Sequence, residues 1–195
     1  ISTIEDQEHL DNNSTSVELQ VDYGYDGYGK YGGYMPIYTT IKNQGAAFTG
    51  LFQVIIPNQH NKSTLYQQEV SLGLAETAQL ELAIPLNGSR DQFHYQLVDN
   101  SNQTIIEKTV NIKLVGDQAY TFIGILAKNS TGLEYIGSEL VKTFYLQNDK
   151  LADDYKSLNS LDIILIDDYD LANITSNNWT AIENWVREGG TLIIG

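Results

Sequence analysis

The chain contains no cysteine. That one absence removes disulfides, thiolate nucleophiles and cysteine-type zinc sites together. Basic residues are also scarce: 11 Lys and Arg stand against 25 Asp and Glu, leaving a formal charge of −14. The acids are spread along the chain rather than gathered into a block. Such a surface repels phosphate backbones and has no basic stripe to release counterions, so nucleic acid is not an expected partner. Anionic membrane surfaces are disfavoured for the same reason. No stretch reaches the roughly 18 consecutive apolar residues of a membrane span, and no membrane contact by these residues is expected. The opening "ISTIEDQEHLDNNSTS" lacks the charged-then-apolar pattern of a secretory signal. If the protein is secreted, the signal lies upstream. His9, His60 and His94 are the only histidines, and none stands three or four residues from another as a helical zinc pair would. G-x-S-x-G, Walker and dinucleotide fingerprints are missing too. No catalytic residue and no cofactor are expected.

What is present describes a folded protein. Hydrophobic residues make up 42% of the 195 and charged ones 18%, enough apolar material for two units of about 80 to 110 residues each. A cysteine-free, acidic chain rich in Asn, Thr, Ser and Tyr has the composition of a Gram-positive surface protein, and an extracellular location follows as an expectation.

Two periods divide the sequence. In "SVELQVDYG", Val17, Leu19, Val21 and Tyr23 alternate with Glu18, Gln20 and Asp22, the period-2 pattern of a half-buried strand. "MPIYTTIKNQG", "FTGLFQVIIPN", "STLYQQEVSLG", "TAQLELAIPLN", "QFHYQLVDN" and "TIIEKTVNIKLV" follow, each bounded by Gly, Pro, Asn or Asp. Seven short strands with turn signals between them predict an antiparallel β-sandwich of immunoglobulin-like type over residues 16–116. Residues 1–15 are expected to be a flexible N-terminal segment.

Beyond "VGDQA" the grammar changes. "YTFIGILA" is a near-continuous apolar run, as a parallel strand covered on both faces requires. A short helical stretch near "TGLEYIGS", a strand at "ELVKTFYL", a helix near "DKLADDYKSL" with Leu151, Tyr155 and Leu158 on one side, and a buried strand at "LDIILIDD" follow. A helix from about Ser176 to Glu188 comes next. Thr175 or Ser176 can cap it, Trp179, Ile182, Trp185 and Val186 form its apolar stripe, and Gly189 ends it. "TLIIG" opens one more strand. Residues 117–195 therefore read as a partial, flavodoxin-like parallel α/β sheet, incomplete at its C-terminus. The fold class expected is two-domain, all-β plus α/β.

Two constellations carry chemistry. Tyr25, Tyr28, Tyr31 and Tyr34 are interleaved with glycines in "YGYDGYGKYGGYMPIY". Tyrosine faces on such a loop can stack on sugar rings or pack on a partner protein, and equally can cover the end of the sandwich. Asp167, Asp168 and Asp170 stand at the carboxyl end of a parallel strand, where open α/β sheets place their ligand crevice. They are candidate ligands for Mg²⁺ or Ca²⁺, and equally turn and helix-start residues.

"LDIILIDDYDLANITSNNWTAIENWVREGGTLIIG" resembles the strand, acidic loop, capped helix with Trp-Val, Gly-Gly and strand of class I glutamine amidotransferase-like domains. The likeness spans Tyr120 to Gly195. "GYDGYGKYGGYMPIYTTIKNQGAAFTGLFQVIIP" is similar to the opening of Ig-like domains that precede such units in envelope proteins of Firmicutes. The resemblance implies a non-enzymatic interaction or scaffold region of a membrane-anchored bacterial surface protein, meeting a protein or glycan at the cell surface. It leaves two alternatives. One is part of a hydrolase or amidotransferase-like enzyme whose active site lies beyond residue 195. The other is a carbohydrate-binding module that uses the tyrosine loop. An edge-strand dimer through the parallel sheet is a further expectation.

Overall fold

The computed structural model describes residues 16–58, 62–89, 91–116, 118–129, 133 and 136–195. The segment 1–15, His60 and half of the stretch near "TGLEYIGS" lie outside these described residues.

Strands β1 (Val17–Tyr23), β3 (Tyr34–Asn43) and β6 (Thr77–Pro85) form an antiparallel sheet in the order β1-β3-β6. Strands β4 (Phe48–Pro57), β5 (Ser63–Leu72), β7 (Gln92–Asp99) and β8 (Thr104–Asn111) form a second, in the order β5-β4-β7-β8. Alternation decides what each contributes. Phe52, Val54 and Ile56 of β4 are buried, while Leu51, Gln53 and Ile55 between them are half-buried. They join Phe93 and Leu97 from β7, Ile37 and Ile41 from β3 and Ile84 from β6 in one core. With no disulfide available, apolar burial at about 25 cal/mol per Å² is what holds the two sheets.

The glycine-tyrosine segment contains a strand that its composition hides. β2 (Tyr28–Lys30) pairs in parallel with β9 (Lys113–Val115). Gly24 makes the preceding turn, with a φ of 58°, and a Cβ there would lie 2.2 Å from the Tyr28 carbonyl oxygen.

The remaining strands are β10 (Thr121–Ala127), β11 (Val141–Tyr145), β12 (Ile163–Asp167) and β13 (Thr191–Ile194), all parallel, in the order β11-β10-β12-β13. Phe122 to Leu126 are all buried, so β10 is covered on both faces as its unbroken apolar run implies. Phe122, Leu126, Phe144, Ile164, Ile166 and Trp185 belong to a second core. Among the described residues the protein is thus mainly β, with two antiparallel sheets, a four-stranded parallel sheet, the short parallel β2–β9 pair and few helices.

Two helix expectations change. The helix near "DKLADDYKSL" shrinks to α1 (Tyr155–Leu158), preceded by a 3-10 turn at Asn148–Lys150. Leu151 is extended, and the Asp154 carboxylate accepts from the Lys156 N–H, so the helix starts only there. α2 (Ser176–Arg187) forms with Thr175 as its cap in a reciprocal capping box with Asn178. Its buried face is Asn178, Ala181, Ile182 and Trp185, spaced i, i+3, i+4, i+7. Val186 falls outside that arc and is exposed.

Candidate functional site

The tyrosine segment runs between the two cores. The Tyr25 ring is buried in the second core, and its hydroxyl donates to the Ser157 carbonyl at 2.7 Å. Burial, then the Glu81 charge, push that phenol far above its ordinary value. Tyr28 is half-buried against Phe122 and Phe144 and carries the ammonium groups of Lys113 and Lys142, each 4.7 Å from its ring centre. Tyr34 is half-buried at the start of β3, and Tyr31 is 41% exposed. Of the four tyrosines expected to meet a ligand, only Tyr31 is an exposed side chain. The other three help join the two cores.

More bonds cross the same seam. Lys30, 3% exposed, reaches Asp162 Oδ2 at 2.5 Å, and the same oxygen accepts from the Phe122 N–H at 2.7 Å. Ser160 Oγ donates to the Tyr34 carbonyl, Glu81 Oε2 accepts from the Asp153 N–H, and Lys150 pairs with Asp22 at 3.0 Å. These residues come from β1, β2, β3 and β6 on one side, and from the segment Lys150 to Asp162 on the other. None was singled out from the sequence as a bridging group. A lysine in a glycine-rich stretch that needed a carboxylate was the only available hint.

A groove opens beside these contacts. Its larger part, about 410 Å³, lies between the end of β1 with its turn, Asp22 to Gly27, and the stretch Phe144 to Lys150. A smaller part, about 230 Å³, lies between the outer face of β3 and β6 and Asp149 to Asp153. Asp22, Tyr38 and Lys150 line both. Tyr38 faces Asp22 on one neighbouring strand and Glu81 on the other. Burial raises its phenol well above the ordinary value, and the nearby Tyr25, Glu81 and Asp153 add to the effect.

The acidic trio has another role. Asp167 ends β12 half-buried, Asp168 takes a left-handed φ of 43°, and the Asp170 carboxylate accepts from the Ala172 N–H at 3.0 Å. Among the described residues no three acidic or histidine side chains converge as metal ligands. Asp168 and Asp170 shape the turn between β12 and α2, as short polar side chains do. His94 sits half-buried on β7, with Nδ1 3.2 Å from Thr109 Oγ1 and Nε2 3.4 Å from Glu107. It is a sheet-surface residue. No helix among the described residues is long and apolar enough to cross a membrane.

No curated protein matches the chain. Among solved structures, the alkylpurine DNA glycosylase AlkC of Pseudomonas fluorescens is similar at 9% identity and a TM-score of 0.40, over 51% of this chain and 30% of that one. A β-glucosidase of Listeria innocua aligns at 12% identity and a TM-score of 0.34, over 51% of this chain and 16% of that one. A structural-genomics target, SoR45, aligns at 15% identity and a TM-score of 0.36, over 51% of this chain and 88% of that one. The chain therefore spans less than a third of the length of each of these two enzymes, and likenesses this weak carry no function. Residues 16–113 match the model of the family described as Domain of unknown function (DUF8726), which covers half of the chain, and the protein belongs to that family.

Proposed function

We propose that the chain is a non-enzymatic interaction or scaffold region of an extracellular, membrane-anchored bacterial surface protein. The observation that carries this reading is the seam. Two separately cored units are joined by a buried lysine on a carboxylate, a buried tyrosine on a carbonyl and further cross-unit bonds. Such a joint holds one fixed surface, which suits display and recognition more than hinged turnover.

The finer architecture is part of the same proposal. Seven antiparallel strands divided three and four between two sheets around one core support an Ig-like sandwich over 16–116. Numbered from β10, the parallel strands run 2-1-3-4, the beginning of flavodoxin-like order, which supports an amidotransferase-like α/β unit over 117–195. Ile193 and Ile194 are exposed on β13, where an edge contact with a second protein chain would form.

Protease shaving of intact cells tests the location. Peptides from this chain are expected in the shaved fraction of intact cells. Their release only after lysis would reject an extracellular role.

A further inference from the structure

The smaller part of the groove gathers negative charge around a buried acceptor that no described residue satisfies, and we propose that it binds the ammonium end of a linear aliphatic diamine or polyamine whose stem runs into the larger part. This deepens the reading of the chain as an interaction region and rests on it. Binding by the purified chain is measured independently of where the chain resides in the cell, so either can fail alone.

Charge comes first. Asp22, Glu81, Asp149 and Asp153 line the smaller part against Lys150 alone, and the larger part adds Asp26 and Lys113. Lys150 is committed to Asp22 at 3.0 Å, and Lys113 turns to the Asp26 backbone carbonyl at 3.1 Å rather than to a carboxylate. Five carboxylates thus face two lysines, and of the five only Asp22 has an ion pair among the described residues. A cavity with this excess draws a cation.

Burial gives a second and separate reason. Glu81 Oε2 accepts from the Asp153 N–H at 2.9 Å, but Glu81 Oε1 is buried with no hydrogen-bond partner. A buried charged acceptor left unmet is costly, and a positively charged donor relieves that cost where a neutral one does so only in part. Tyr38 stands between Asp22 and Glu81 in the strand register, sunk into the seam, and its hydroxyl makes no hydrogen bond to the described residues. Glu81 and Asp153 both hinder its ionisation, so the two carboxylates lie close around that phenol.

Shape decides which cation. Mg²⁺ and Ca²⁺ need several oxygens meeting at one point, and no three acidic or histidine side chains among the described residues converge in that way. Acceptors spread around a cavity suit an ammonium instead, which has three donors and no acceptor and can rest against a tyrosine ring. The smaller part, about 230 Å³, holds such a head group with a short stem, and it shares Asp22, Tyr38 and Lys150 with the larger part of about 410 Å³. There Tyr23, Phe144 and Leu146 offer apolar surface to a methylene chain, as they would to a lysine stem. The Asp26 carboxylate, which has no ion pair among the described residues, is left for a second ammonium.

The test is NMR titration of the ¹⁵N-labelled chain with cadaverine and spermidine, against pentanediol and Mg²⁺, at roughly 0.15 M salt, where the diffuse attraction of an acidic surface is screened. The expected result is saturable shifts of amides around Glu81 and Asp153 with at least one amine at millimolar concentration, none with pentanediol, and weaker binding of Mg²⁺. Glu81→Gln keeps an acceptor for the Asp153 N–H and should weaken amine binding about tenfold, the loss of one charge-assisted hydrogen bond. With the unmet buried charge gone, its melting temperature should hold or rise. Asp149→Asn, at an exposed position of the same cavity, should weaken binding about threefold and carries the test should Glu81→Gln fail to fold. Glu69→Gln, exposed on β5, removes the same charge away from the groove and should bind as the parent does. The proposal is overturned if neither amine saturates, if pentanediol or Mg²⁺ binds more tightly than both, if neither groove variant weakens binding, or if Glu69→Gln weakens it as much as they do.

Discussion

Removing either partner of the Lys30–Asp162 pair should have very different consequences. The Lys30 side chain is 4% exposed and the Asp162 side chain 44%. At this separation the attraction is roughly 6 kcal/mol with an effective dielectric near 20, and it offsets a desolvation cost of several kcal/mol for the buried ammonium. Asp162→Asn keeps an acceptor for the Phe122 N–H but takes the charge from beneath a buried lysine. The expected destabilisation is about 2–4 kcal/mol, reduced from the full figure for a buried pair because Asp162 is nearly half-exposed. Lys30→Met keeps the stem packed near the Phe122 ring, which the ammonium overlies at 5.0 Å, and leaves an aspartate that water can reach. Its cost should be about 1 kcal/mol or less. The double variant should lie close to Lys30→Met, since the orphaned charge is gone. Urea unfolding followed by both tryptophan fluorescence and far-UV circular dichroism measures this. Trp179 and Trp185 both lie in α2 and pack in the second core, whereas most strand signal comes from the antiparallel sheets. If the seam couples the units, the two probes should move together in the parent. Equal costs for the two single variants, or Lys30→Met the more damaging, would refute the reasoning.

Three further outcomes are expected. A Cβ on Gly190 would lie 2.2 Å from the Trp185 ring, whereas one on Gly189 meets nothing within 4 Å and faces only a φ of 109°. Gly190→Ala should therefore cost about 1–3 kcal/mol by overpacking and shift Trp185 emission, while Gly189→Ala should cost about 1 kcal/mol and leave emission in place. The buried Asn178 amide donates to the Leu151 and Ala152 carbonyls and to Asp153 Oδ1 at 2.9 Å. Asn178→Asp loses those donors and sets two carboxylates together, so thermal melts should show a loss of about 3–5 kcal/mol, partly recovered below about pH 4 as a carboxylate protonates. Tyr25 and Tyr38 are held above the ordinary phenol value of 10.0. Above that pH the unfolded chain sheds these protons and the native one keeps them, so stability present below pH 10 falls as pH rises further. Phenolate absorbance from the two should appear together with loss of the dichroism signal, and ionisation well before unfolding would contradict their placement.

Much of this fold was legible because its signals are local. The error-free alternation of "SVELQVDYG", the unbroken apolar run of "YTFIGILA" and the Thr175 cap each lie within one element, and each element forms where its pattern stands. The failures were local patterns overruled by neighbours. Asp154 starts α1 late, and Val186 yields the buried face to Asn178, whose amide finds carbonyls more than 20 residues away. The candidate site was less legible still. Glycine spacing made the tyrosines of 25–34 look like a presented loop, because composition cannot say what lies on the other side.

Sequence alone determined the two periods, the absence of cysteine chemistry and the acidic balance, since these depend on residue type and on spacing within an element. Only the tertiary structure decided that Lys30 meets Asp162 and Tyr25 meets Ser157, each pair 132 residues apart, and that Asp22, Tyr38 and Lys150 line one groove between. Backbone geometry fixes where a side chain lies on its own strand. The packing of one unit on the other fixes what that side chain touches.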